Sequence, residues 1–100
     1  MDSEPADHRP ATIHGQLLRA SRHRVVAIYL RDGMICVAEF IDGRGRLVDV
    51  NAWFRFNCGT RTNEHAMRRM VLESAVPLPD ELIEPIEALH RAAAAQKKRA

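Results

Sequence analysis

The stretch that decides the fold runs Arg24-Val25-Val26-Ala27-Ile28-Tyr29-Leu30-Arg31-Asp32-Gly33-Met34-Ile35-Cys36-Val37-Ala38-Glu39-Phe40-Ile41-Asp42-Gly43-Arg44-Gly45-Arg46 and continues to Phe56. Its first run, Val25 to Leu30, is β-branched and aromatic, as strands prefer. It ends at Asp32-Gly33, the dipeptide favoured by a two-residue type I′ hairpin. A second strand, Met34 to Ile41, must follow. Asp42-Gly43-Arg44-Gly45 then offers another reversal, and Arg46 to Phe56 reads as a third, longer strand that bends or breaks near Asn51. The pattern is a β-meander.

Pairing Arg31 with Met34 and Ile41 with Arg46 assigns every side chain to a face, because the period of a strand is two. One face carries Val26, Ile28, Leu30, Ile35, Val37, Val48, Val50, Ala52, Phe54 and Phe56, interrupted by Glu39. That face belongs to a core. The other carries Val25, Ala27, Tyr29, Cys36, Ala38, Phe40, Leu47, Asp49, Asn51, Trp53 and Arg55, which is too apolar to stand in water. Something must cover it.

On the N-terminal side, Ile13, Leu17, Leu18 and Ala20 recur at helical spacing, with Thr12 as a possible N-cap, so Ala11 to Arg24 reads as a short helix that Gly15 weakens. Residues 1–10 are polar and contain two prolines, the composition of a flexible arm. On the C-terminal side, Asn57 to Asn63 is turn-forming. Thr62 or Asn63 caps a helix to about Ser74 with Ala66, Met67, Met70, Val71 and Ser74 on its stripe. Val76-Pro77-Leu78-Pro79 is an extended linker. Asp80 to about Gln96 is a last helix with Leu82, Ile83, Ile86, Leu89 and Ala93 inward, and Pro85 either kinks it or marks its true start. Acidic residues at its head and Lys97, Lys98 and Arg99 at its tail match the macrodipole. The expectation is an α+β fold: an arm over 1–10, an α+β domain over 11–76 and a C-terminal helix with a basic tail over 77–100.

A chain of 100 residues with 46% hydrophobic and 28% charged residues suits one domain with one modest core. No apolar run approaches the roughly 18 residues that span a bilayer, and the acidic N-terminus lacks the layout of a signal peptide, so no membrane role and a cytoplasmic location are expected. Cys36 and Cys58 form no dense framework. Free thiols are therefore favoured over a disulfide. Thirteen arginines against two lysines carry the positive charge. Arginine's planar fork suits phosphate and base stacking, although a high-GC genome would enrich it as well.

Catalytic signatures are missing: there is no G-x-S-x-G, P-loop, G-x-G-x-x-G or H-E-x-x-H. The chain is expected not to be an enzyme and to need no cofactor, metal or small-molecule substrate. His8, His14, His23, His65 and His90 are scattered as surface histidines would be. Glu39 is either a carboxylate paired with Arg24 or Arg46 or, less simply, a buried acid with a raised pKa. Tyr29, Phe40 and Trp53, with Arg55 beside them and Arg31 and Arg44 near the loops, resemble a stacking platform for unpaired bases, though aromatics on a sheet are more often covered by a helix or a second subunit. Arg19, Arg22, His23 and Arg24 form a basic cluster, either solvated or placed for phosphate.

A family resemblance rests on Leu17-Leu18-Arg19-Ala20-Ser21-Arg22-His23-Arg24-Val25-Val26-Ala27-Ile28-Tyr29-Leu30-Arg31-Asp32-Gly33. This passage resembles the start of the bacterial Hfq family of Sm-like RNA chaperones, where an arginine-rich helix end leads into a strand reading I-Y-L and a polar-Gly turn. Met34 to Phe40 is similar to the second Sm strand, with Ala38 in place of its bending glycine. Glu64-His65-Ala66-Met67 is similar to the family's Lys-His-Ala-Ile segment, without the lysine.

The resemblance implies a partly open Sm-like barrel acting as a homo-oligomer and a post-transcriptional regulator with RNA as its partner. It implies that Tyr29, Leu30, Gly33 and Met34 hold adenine-rich RNA, that Arg22, His23 and Arg24 form a basic rim, and that His65 serves the opposite face. It also implies further strands in residues 57–74, where the residues themselves read as helix. The rival expectation is an α+β protein–protein interaction module without a nucleic-acid role, whose second sheet face packs against its own C-terminal helix or a twin subunit.

Overall fold

Asp-Gly dipeptides set both hairpins of the meander. In the computed structural model, which describes residues 12–59 and 64–99, Asp32 and Asp42 each have a φ of 51°, followed by Gly33 at 77° and Gly43 at 81°. Positive φ at both central positions is the type I′ geometry, whose twist matches that of the strands it joins. The arm over 1–10 and the proposed caps Thr62 and Asn63 lie outside the described residues.

The elements are β1 (His14–Ala20), β2 (Arg24–Arg31), β3 (Met34–Ile41), β4 (Arg44–Val48), α1 (Val50–Cys58), α2 (Glu64–Ser74), β5 (Val76–Pro77) and α3 (Asp80–Arg99). The strands form one open antiparallel sheet in the order β4-β3-β2-β1-β5. The fold is α+β, with the expected C-terminal helix. None of its helices is long and apolar enough to cross a membrane, within the described residues.

Three expectations are corrected. The segment read as an N-terminal helix is strand β1 from His14 onward. Its helical spacing is weak, while Gly15 opposite Tyr29 lets the two backbones meet: a Cβ on Gly15 would stand 2.3 Å from the Ile28 carbonyl oxygen and 2.7 Å from Tyr29 Cα. Tertiary pairing outweighs local propensity here.

The second reversal is tighter than expected, since Ile41 pairs with Arg44 and not Arg46. The difference of two residues preserves the period, so the strand residues of the meander keep their predicted faces.

The third strand stops at Val48. Asp49 then caps α1, its Oδ1 accepting the Ala52 N–H at 2.8 Å, and Gly59 ends the helix at φ 73° with its N–H on the Arg55 carbonyl. Val50, Trp53 and Phe54 share one side at helical spacing, whereas alternation keeps Val50 and Phe54 together and sends Trp53 to the opposite face. The cap decides between the two periods.

Both faces of the sheet are filled. Val26, Ile28 and Val37 pack with Trp53 and Phe54 of α1 and Val71 of α2. Ala27, Tyr29 and Ala38 pack with Ile13, Leu78, and Ile83 and Ile86 of α3. Each fully buried aliphatic or aromatic side chain contributes about 1.5–3 kcal/mol relative to exposure. The cover expected over the second face is therefore the chain's own C-terminal helix. Along that helix Leu82 and Leu89 also turn inward, and Pro85 lies inside it, five residues after its start at Asp80.

Candidate functional site

The sheet ends in two chemically different places. The end formed by the β1–β2 and β3–β4 turns carries Arg19, Arg22, His23, Arg24, Arg44 and Arg46, of which Arg24 and Arg46 pair with Glu39 and His23 lies beside Asp42. Antiparallel pairing brings them together although they span residues 19–46. The turns are tied to each other: the Asp42 N–H donates to the His23 carbonyl at 2.8 Å, and His23 Nδ1 lies 3.4 Å from Asp42 Oδ1.

Glu39 is 2% exposed, and it is held by arginines from both neighbouring strands. Arg24 donates through Nη2 to Oε2, while Nε and Nη2 of Arg46 stand 3.1 and 2.6 Å from Oε1. Burial pushes this carboxyl up, but hydrogen bonds from Arg46 and Arg24 outweigh it and leave the group below its ordinary value. Glu39 is thus an ionised organiser of two guanidiniums, which is the plainer of its two sequence readings.

A cavity of about 340 Å³ opens beside this clasp, between the β3–β4 ribbon and α1. Arg24, Glu39 and Arg46 form its polar wall, and Val48, Ala52, Trp53 and Phe56 its apolar one, with Asn57 at the side. Phe56 is 88% exposed, far from the core position its alternating spacing predicted. Trp53 is buried and stacks edge-on against Phe54 at 5.2 Å. Two buried N–H groups on the cavity's residues, Arg24 Nε and Trp53 Nε1, have no hydrogen-bond partner among the described residues.

The predicted binding residues do not converge. Arg22, His23 and Arg24 lie at the clasp end, whereas Leu30, Gly33 and Met34 lie at the opposite end of β2. Tyr29 is fully buried beneath α3, its hydroxyl 2.7 Å from His90 Nε2, so its ring cannot stack on a base. Leu30 packs into the α1–α2 side of the core. The Gly33 carbonyl accepts from Arg68 of α2 at 2.8 Å, and Met34 is exposed. His65 is exposed on α2. The three aromatics of the expected platform are also divided: Tyr29 and Phe40 face α3, and Trp53 belongs to α1 on the other side.

The α3 side holds its own polar group. Arg31 pairs with Glu87, and Tyr29 meets His90 edge-on with ring centroids 5.9 Å apart. Burial, followed by the Arg31 charge, holds His90 below the ordinary imidazole value. Burial likewise pushes the Cys36 thiol up, away from the thiolate character a nucleophile needs. Among the described residues no cluster of His, Cys, Asp and Glu is arranged to hold a metal.

Sequence reasoning singled out Arg24 and named Arg46 as a partner of Glu39, but it missed Phe56, Trp53 and Asn57 as neighbours of that pair. Asp49 followed by an apolar i, i+3, i+4 pattern was the available signal. No protein-family model matches this chain, and no match was found among curated proteins or solved structures.

Proposed function

We propose that the protein is an RNA-binding module that grips single strands at the clasp end of its sheet, working in the cytoplasm as a homo-oligomeric post-transcriptional regulator. The observation that carries this reading is the exposed Phe56 ring beside the Arg24–Glu39–Arg46 clasp, with Arg22 and His23 on the β1–β2 turn and Arg44 at the start of β4. Aromatic faces next to guanidiniums are how proteins hold unpaired bases and their phosphates, through stacking and charge-assisted contacts. Oligomerisation would use the unpaired edges: among the described residues β4 has no outer neighbour, and β5 covers only the first part of β1.

The Sm-like reading belongs to the same proposal in altered form. The strand and turn chemistry that resembles the Hfq family lies in β2 and β3, while Tyr29 serves the core and RNA contact moves to the arginine end. Anisotropy with labelled single-stranded RNA at low salt tests the function. Arg22→Ala combined with Arg44→Ala, both exposed, one in the β1–β2 turn and one at the start of β4, should weaken every sequence alike; unchanged binding would remove the clasp end from the reading.

A protein–protein interaction module is the second reading, favoured by one observation. Leu17 and Val76, on adjacent strands, are 41% and 58% exposed, with Leu18 next in sequence also exposed. A chain that forms stable dimers and binds no RNA would fit this reading and not the first.

A further inference from the structure

We propose that the outer edge of β4 and the overhanging end of α3 form a dimer interface, in which a second copy of this chain pairs its own β4 antiparallel across a two-fold axis. This rests on the homo-oligomeric part of the reading above and names the surface that part needs. RNA has no role in it.

The argument starts at the edge. Asp42-Gly43 makes a two-residue turn, so the flanking pair Ile41 and Arg44 exchanges both ladder hydrogen bonds, and so does the next bonded pair, Glu39 and Arg46. Gly45 and Leu47 therefore turn their N–H and C=O groups outward. Among the described residues no neighbouring strand receives them. With a second β4 set about a two-fold at Arg46, Gly45 meets Leu47 of the second copy and Leu47 meets its Gly45, so these outward donors all find acceptors. Arg44 then faces Val48 of the second copy. Arg46 faces its own counterpart, each guanidinium being held already by the Glu39 of its own chain.

The helix above gives that edge a roof. α3 starts beside β5 at one side of the sheet and has reached β4 at the other by Leu89, whose Cδ2 stands 3.1 Å from where a Cβ on Gly45 would be. From Leu89 to Arg99 it runs on for about 15 Å at the helical rise. Ala92, Ala94, Ala95, Gln96 and Lys97 are exposed along this end. It overhangs the place that a strand added to β4 would take.

Charge then selects the occupant. Exposed Asp80, Glu81 and Glu84 stand at the head of α3, and Lys97, followed in sequence by Lys98 and Arg99, stands at its tail. A two-fold through the β4 edge brings a second α3 alongside the first and antiparallel to it, because both cross the joined sheet on the same face. Acidic heads then lie against basic tails, and the helix dipoles oppose. Alanines between them allow an interaxial distance at the short end of the usual range of about 8–10 Å. An unrelated extended peptide would answer the β4 edge alone, whereas the segregated charge of α3 is answered by another α3. On the opposite face of the joined sheet the same axis sets the two Glu39 clasps side by side.

Sedimentation equilibrium of the full chain without nucleic acid, with amide hydrogen exchange on the same preparation at low and high concentration, tests the interface. A monomer–dimer equilibrium is expected, with the Gly45 and Leu47 amides slowed at least about tenfold where the dimer dominates. Ala92→Glu combined with Ala95→Glu, at exposed helix positions that leave the fold intact, should raise the dimer dissociation constant by about tenfold or more. Lys97→Glu should raise it by about threefold, and Glu84→Lys added to Lys97→Glu should restore it by exchanging the paired charges.

A dimer whose Gly45 and Leu47 amides stay fast, or that tolerates the alanine substitutions, would overturn this interface and leave oligomerisation through another surface. Assembly beyond two copies would overturn the closed two-fold in the same way. A chain that stays monomeric at every concentration would overturn the interface and the homo-oligomeric part of the reading together, leaving RNA binding to its own test.

Discussion

Arg46 places Nε and Nη2 at 3.1 and 2.6 Å from a single oxygen of Glu39, across the β3–β4 ladder in which the two residues are direct partners. The carboxylate is buried and Arg46 is largely exposed, so the pair couples the sheet's interior to the surface where a phosphate would arrive. Because Arg24 holds the other oxygen, one negative charge restrains two positive ones.

Glu39→Gln should therefore act in opposite directions on stability and binding. Losing the ionised acceptor should lower stability by about 1 kcal/mol, a figure kept small by the solvent around Arg46. Releasing two guanidiniums should raise RNA affinity by about threefold at about 50 mM salt, the scale of one added phosphate contact. Urea denaturation and anisotropy measured on the same preparation check both, and weaker binding at unchanged fold would contradict the assignment.

Tyr29→Phe should separate packing from recognition. The ring stays under α3 and only the hydroxyl facing His90 is lost, which should cost about 0.5–1.5 kcal/mol and leave RNA affinity within about twofold. A large fall in affinity would restore the Tyr29 face as a binding surface.

His90 should give the fold an acid-sensitive step above that of the carboxylates. Burial and Arg31 depress its folded value, so the unfolded chain takes up the proton first. The contribution is fully present above the unfolded imidazole value of about 6.5 and is lost as pH falls through the lower folded value. Glu39, also depressed, contributes above its unfolded value of about 4.3 and is lost only below that. The urea midpoint should fall between about pH 7 and pH 5 in the wild type, and His90→Gln should flatten that slope.

Gly15→Ala should destabilise by about 1–3 kcal/mol, because its Cβ meets backbone and not a movable side chain. The loss should appear in the urea midpoint with β1 as the first segment to exchange amide hydrogens. An unchanged midpoint would argue against the close β1–β2 pairing.

The meander was legible because Asp32-Gly33 and Asp42-Gly43 specify their own turns and the period of two carries each side chain to its face. Glu39's partners followed from its place near the sheet end, although the expected register set Val48 opposite it where the structure sets Arg46. β1 was not legible: Leu17 and Leu18 are apolar neighbours beside a β-bulge, which breaks the alternation that would have marked a strand. The start of α1 was ambiguous for a different reason, since Val50, Ala52 and Phe54 alternate as in a strand while Val50, Trp53 and Phe54 share a helical face, and the Asp49 cap decides between them. That one misreading hid the pocket, because it placed Trp53 and Phe56 on opposite faces of a strand when they line one cavity from a helix.

The central claim is that RNA is held at the arginine end of the sheet. Anisotropy of labelled oligo-U and oligo-A at low salt, comparing the wild type with the Arg22→Ala/Arg44→Ala variant, measures it most directly. Binding to the wild type that weakens at least about tenfold in the variant, with a shallower salt dependence by about two phosphates, is the predicted result. No binding to the wild type, or equal binding by both proteins, would contradict it.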